Sequence, residues 1–154
     1  MKMHITMLAL AVLLLAAVAY GQEKCIHSNA MQHTADVVIL RALNDMDQNG
    51  DGIVTDSEIL NEFVSKFDHD GSLSISRAEF VKQWHETYHD STDFAAFIFT
   101  KFDTTGDGTL GLFDVSGLKS KVDTNHDGKI TDVEFTIFLT HAYNECEVTH
   151  HRPE

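Results

Sequence analysis

From Thr34 to Met46 the apolar residues Ala35, Val38, Ile39, Ala42, Leu43 and Met46 recur at helical spacing, which predicts an amphipathic helix. Ile59, Leu60, Phe63, Val64 and Phe67 continue a second helix, and Phe80, Val81, Trp84 and Tyr88 mark a third. Asp90-Ser91-Thr92 breaks that one and caps a fourth, lined by Phe94, Phe97, Ile98 and Phe102. Leu112, Val115, Leu118 and Val122 predict a short helix weakened by Gly117, and Phe135, Phe138, Leu139 and Ala142 begin the last. The aromatic stripe reads as core before it reads as a ligand groove. These spacings predict an all-α chain.

The polar stretches between the helices share a frame. Residues 47–58 read Asp-Gln-Asn-Gly-Asp-Gly-Ile-Val-Thr-Asp-Ser-Glu, which matches the calcium-loop spacing D-x-[DN]-x-[DN]-G-x5-E without a gap. Oxygen ligands fall at Asp47, Asn49 and Asp51, the backbone carbonyl of Ile53 follows, Thr55 can act through a water, and Glu58 closes the site with both carboxylate oxygens. Residues 123–134 repeat the frame with Asp123, Asn125, Asp127, the carbonyl of Lys129, Thr131 and Glu134. Gly52 and Gly128 permit the sharp turn. On these motifs the chain resembles the EF-hand superfamily, and the resemblance extends over most of the chain after its first thirty residues.

Two further loops follow the pattern with departures. In 68–79 the ligands are Asp68, Asp70, Ser72, the carbonyl of Ser74 and Glu79, but Leu73 stands where the turn glycine belongs. A left-handed backbone there costs leucine about 1 to 2 kcal/mol, so weak binding is expected. In 103–114 they are Asp103, Thr105, Asp107, the carbonyl of Thr109 and Asp114. Thr105 supplies only a hydroxyl, and Asp114 is one methylene shorter than glutamate, which favours the smaller magnesium ion.

The resemblance implies four helix-loop-helix units with short β contacts between paired loops, and all four carry an aliphatic residue at the contact position: Val54, Ile75, Leu110 and Ile130. Spacing predicts the partners. Nine residues separate Glu58 from Asp68 and eight separate Asp114 from Asp123, so one helix must serve two loops in each case. A helix from Asp56 to Phe67 is roughly 18 Å long and holds loops 1 and 2 at opposite ends. Loop 1 is therefore expected to pair with loop 4, Val54 opposite Ile130, around a pair of loops 2 and 3 in one compact body. Separate lobes, 1 with 2 and 3 with 4, would require breaks near Asn61 or Gly117.

The chain has 154 residues and a formal charge of -13, which argues against nucleic acid or anionic lipid and makes cations the natural partner. Leu8 to Ala19 is apolar after Lys2 and His4, and Ala17-Val18-Ala19 offers a cleavage site, with Gly21 a second candidate. This predicts a signal peptide over residues 1–21, since about twelve apolar residues fall short of the ~20 that span a membrane. The mature part, 22–154, holds Cys25 and Cys146. In an oxidising compartment the pair predicts a disulfide, with two buried free thiols or an intermolecular bridge as alternatives. His85 and His89 lie one turn apart, either as exposed polar residues or as transition-metal ligands. The tail carrying His150, His151 and Pro153 is expected to be disordered.

No nucleophile motif or catalytic constellation stands out, and the carboxylates are accounted for as ligands. The expectation is a secreted, monomeric, non-enzymatic protein that binds Ca²⁺ in loops 1 and 4, as an extracellular calcium buffer or matrix component. It looks like the proteins that some invertebrates secrete into calcified matrices, which implies mineral or matrix protein as further partners. The alternative is a calcium-gated adaptor that binds a target protein through an apolar groove. Against that stands a mature chain with only Met31 and Met46, where such grooves are methionine-rich.

Overall fold

Most of the polar loops end in a side chain that starts the next helix. The Thr55 hydroxyl accepts from the Glu58 N–H while the Glu58 carboxylate accepts from the Thr55 N–H, and Ser76 and Glu79 repeat the arrangement. Each of these capping boxes satisfies donors that a helix start leaves without partners. Ser91 likewise accepts from the Phe94 N–H at 3.1 Å. The computed structural model describes residues 31 and 33–148. Their six helices are α1 (Ala35–Met46), α2 (Asp56–Glu62), α3 (Arg77–Tyr88), α4 (Thr92–Phe102), α5 (Leu112–Val122) and α6 (Asp132–Val148). The expected signal peptide, Cys25 and the histidine-bearing tail lie outside the described residues.

Neither shared helix breaks where the two-lobe alternative would need it. From Asn61, α2 runs on into a π-helical turn over Phe63–Phe67, in which the Asp68 N–H reaches back five residues to the Phe63 carbonyl at 3.1 Å. The wider turn leaves Phe63 and Phe67 buried and Val64 exposed. Gly117 lies inside a continuous α5 for a packing reason: a Cβ there would stand 2.0 Å from the Thr104 hydroxyl.

Four two-residue strands complete the described chain. β1 (Ile53–Val54) runs antiparallel to β4 (Ile130–Thr131), with Val54 opposite Ile130, and β2 (Ile75–Ser76) runs antiparallel to β3 (Thr109–Leu110), with Ile75 opposite Leu110. All four residues at the contact position are buried. Helix α1 packs on α6, α3 on α4, and α2 on α5.

One hydrophobic cluster draws on all six helices. Phe80 is its hub, stacked on Phe67 and Trp84 at 5.1 and 5.4 Å between ring centroids and edge-on to Phe99 at 5.6 Å. Such ring pairs add about 0.5 to 1.5 kcal/mol each beyond area burial. Two polar ties cross the core. Asp90, fully buried, accepts from Trp84 Nε1 at 3.1 Å and from the Tyr143 hydroxyl at 2.6 Å, so one carboxylate joins α3 to α6. Asp45 accepts from the Tyr88 hydroxyl at 2.9 Å and pairs with Lys66, which also pairs with the buried Glu62 at 2.9 Å. Burial pushes the Glu62 carboxyl up despite Lys66. Burial, with Asp45 or Asp90 beside them, raises both tyrosines. His85 is half-buried rather than on an open polar face, with Nδ1 against the Asp90 carbonyl, and His89 ends α3 in a left-handed conformation, φ 63°.

Candidate metal centre

In loop 1 the first expected ligand, Asp47, is held by the loop's own backbone: Oδ1 accepts from the N–H groups of Gly50 at 2.8 Å and Asp51 at 3.2 Å, and Oδ2 from Gly52 at 2.9 Å. Asn49 and Asp51 each accept from the N–H two residues on, at 2.8 and 3.0 Å. Glu58 closes the loop from the far side, with Oε1 on the Asn49 N–H at 3.3 Å and Oε2 on the N–H and hydroxyl of Thr55 at 2.9 and 2.7 Å. The Thr55 hydroxyl, expected to act through water, thus also steadies the closing carboxylate. Burial pushes Glu58 up, but these donors outweigh it and its pKa is lowered.

Loop 4 repeats the scheme. Asp123 accepts from Asp127 and Gly128 at 3.2 and 2.8 Å, Asn125 from Asp127 at 2.8 Å, and Asp127 from Lys129 at 2.9 Å. Glu134 accepts from Thr124 and Asn125 through Oε1 and from Thr131 through Oε2. The Thr131 N–H and hydroxyl lead the effects that lower it to about 2. One residue escaped the sequence reading. His126 is left-handed, φ 60°, at the fourth loop position, where the other loops have Gly50, Gly71 and Gly106. Lining up the four loops exposes the odd residue.

In loop 2 the backbone cradle persists although Leu73 takes the expected left-handed conformation, φ 62°. Asp68 accepts from Gly71, Ser72 and Leu73 at 2.8 to 3.1 Å, the Leu73 N–H being the chief cause of its lowered pKa. The Ser72 hydroxyl donates to the Ser74 carbonyl at 2.8 Å, which joins two proposed ligands to each other. Glu79 accepts from His69 and Ser76, and the Ser76 hydroxyl heads the donors that lower it. In loop 3 the shorter Asp114 still reaches back, with Oδ1 on the N–H groups of Thr104 and Thr105 at 2.9 and 3.0 Å and Oδ2 on Gly111 at 2.9 Å. The Thr105 hydroxyl donates to Asp114 at 3.1 Å and to Asp103 at 3.4 Å. Asp107 accepts from the N–H and hydroxyl of Thr109, which lower its pKa.

The donors are all oxygen, the set that hard divalent cations take. Among the described residues, the carboxylate trios that bring one oxygen each within 4.8 Å of one another are Asp68, Asp70 and Glu79 in loop 2 and Asp103, Asp107 and Asp114 in loop 3. Burial divides the loops differently. Asp47, Glu58, Asp123 and Glu134 are 6 to 8 % exposed, and Asp114 is 4 % exposed, whereas Asp68, Glu79 and Asp103 are half-exposed. Beside loop 1 lies Asp132, whose Oδ1 is buried without a hydrogen-bond partner among the described residues; burial and the charges of Asp47 and Asp51 push its carboxyl up. Like-charged carboxylate oxygens gathered in one loop fit a site that holds a cation.

The EF hand family matches the chain over residues 40–64 and 120–139. Each matched stretch contains a whole acidic loop, the first and the fourth, with the helical turns that flank it. The family's ion is calcium, and the oxygen ligands of both matched loops suit it. No curated protein and no solved structure matches the chain.

Proposed function

We propose that the chain is a secreted, non-enzymatic EF-hand calcium-binding protein, an extracellular calcium buffer or matrix component with its tighter sites in loops 1 and 4. The observation that carries this is the burial of the first and last carboxylates in both of those loops, on the two segments that match the EF hand family. Each carboxylate has its own donors, but the like charges within a loop repel one another, and a calcium ion supplies the opposite charge. Loops 1 and 4 act as one pair through β1 and β4, and loops 2 and 3 act as a weaker pair through β2 and β3. Secretion is supported by the apolar run Leu8–Ala19 and by Cys146, which is buried and is not a free thiol. Bridging it to Cys25 would stabilise the fold by roughly 4 to 5 kcal/mol on the chain-entropy model.

Calorimetric calcium titration tests the reading. Two sites are expected, with dissociation constants in the ~10⁻⁴ to 10⁻³ M range of extracellular modules or somewhat tighter. A chain that takes up no calcium refutes it, and mass analysis showing two alkylatable thiols in the secreted protein removes the bridge. The second reading, a calcium-gated adaptor, draws on Leu112 and Phe113, which are 65 and 80 % exposed at the end of loop 3. A large calcium-dependent rise in binding of an apolar dye would favour it.

A further inference from the structure

Where β1 meets β4, the backbone of loop 4 crosses loop 1. The Asp132 N–H donates to the Gly52 carbonyl at 3.2 Å, one step beyond the Ile53–Thr131 pair. That bond sets the Asp132 side chain over the sharp turn of the opposite loop: a Cβ built on Gly52 would lie 4.0 Å from Asp132 Oδ2. The other oxygen, Oδ1, is buried and accepts no hydrogen bond among the described residues. The charges acting on this carboxylate are those of Asp47 and Asp51, both acidic. The ligand carboxylates of the four loops, by contrast, are met by backbone N–H groups.

Position ten of each loop shows how particular this is. In loop 1 it is Asp56, exposed and 3.6 Å from the Lys119 ammonium, so it has an opposite charge and faces solvent. In loops 2 and 3 it is Arg77 and Leu112. Among the described residues, Asp132 is the position-ten acid whose carboxylate lies against the turn glycine of the opposite loop. Within its own twelve residues loop 1 contains three candidate ligand carboxylates, Asp47, Asp51 and Glu58.

We propose that Asp132 is an affinity-determining carboxylate for the cation of loop 1, delivered across the β contact so that loop 4 sets how tightly loop 1 binds. The proposal rests on the calcium reading given above. Without metal, an oxygen with no donor beside two like charges opposes folding. With a divalent cation in loop 1, the same charge becomes attractive at long or short range. One side chain therefore has effects of opposite sign in the two states.

Asp132→Asn, which keeps the shape and removes the charge, separates those effects in the full chain. Its unfolding midpoint in chelator should rise above that of the parent, while calcium calorimetry should show one site weakened roughly three- to tenfold. Asp132→Ser provides the same comparison should the amide pack badly. The weakening should persist in a Glu134→Gln background, where loop 1 is the remaining strong site, and vanish in a Glu58→Gln background. The reverse pattern would show that Asp132 serves only its own loop and would overturn the proposal, as would unchanged calcium affinity in Asp132→Asn. A parent chain that binds no calcium defeats the calcium reading itself, whereas a parent that binds with Asp132→Asn indistinguishable from it defeats only the role of Asp132.

Discussion

The two loop pairs solve the same electrostatic problem differently. In the pair built on loops 1 and 4, the first and last carboxylates of each loop are buried. In the pair built on loops 2 and 3, three carboxylate oxygens per loop gather within 4.8 Å, and Asp68, Glu79 and Asp103 remain half-exposed while Asp114 is buried. Solvated carboxylates have less to gain from a cation than buried ones. Each pair also contains one loop with a side chain on a left-handed backbone, Leu73 in one and His126 in the other.

The largest effect should separate the pairs by stoichiometry. Glu58→Gln and Glu134→Gln should each remove about one equivalent of bound calcium in a calorimetric titration, because loss of the closing charge leaves two carboxylates per loop. Glu79→Gln and Asp114→Asn should leave the strong equivalents in place. If those two variants abolish binding while the first two do not, the ranking of the pairs is reversed.

Gly117→Ala addresses the inner pair alone. Its Cβ would stand 2.0 Å from the Thr104 hydroxyl and 2.6 Å from the Thr104 Cβ, and Thr104 supplies an N–H to Asp114 at 2.9 Å. Overpacking of this kind costs about 1 to 3 kcal/mol, which should appear in chemical denaturation, with the calcium sites of loops 1 and 4 retained. A Gly117→Ala chain as stable as the parent would show that Thr104 moves aside freely.

Relief of backbone strain should be smaller and unequal. Leu73 is 71 % exposed, so Leu73→Gly gives up little packing and removes a left-handed penalty of about 1 to 2 kcal/mol, less the added chain entropy of glycine, which is about 0.5 to 1 kcal/mol. His126→Gly should gain less, since histidine enters the left-handed region more readily than leucine. Thermal midpoints in chelator test this order, and a larger gain at His126 would contradict it.

The smallest effect is the pH dependence of the metal-free chain. Glu134 falls from its ordinary 4.5 to about 2, and Glu58, Glu79, Asp68 and Asp107 are lowered as well. A lowered folded pKa means that the fold favours the charged form. That stabilisation is present above about pH 4.5 and is lost as pH falls through the lowered values toward 2. Glu62 and Asp132, raised by burial, work in the opposite sense. Acid unfolding in chelator should be shallower for Glu134→Gln than for Glu79→Gln, and equal slopes would contradict the stronger hold on Glu134.

Local chemistry was readable in the chain because each loop is its own template. Turn glycines, the left-handed Leu73 and the Ser91 helix start depend on contacts within about a dozen residues, so spacing alone exposes them. The helices followed for the same reason, their apolar faces repeating at helical intervals. Apart from His126, what escaped depends on meetings across the fold. Glu62, three residues after Ile59, lies on an apolar face by spacing, but its partners Lys66 and Asp45 come together only when α1 packs beside α2. Asp90 looks like an ordinary helix-breaking acid until Trp84 and Tyr143, 53 residues further on, converge on it. Asp132 looks like a solvated first-turn acid of α6 until the β1–β4 register lays it over Gly52 of loop 1. The sequence determines which oxygens each loop presents, since those are neighbours along the chain. Tertiary packing determines which charges are taken from water and set against one another, because burial and cross-loop register belong to the whole fold.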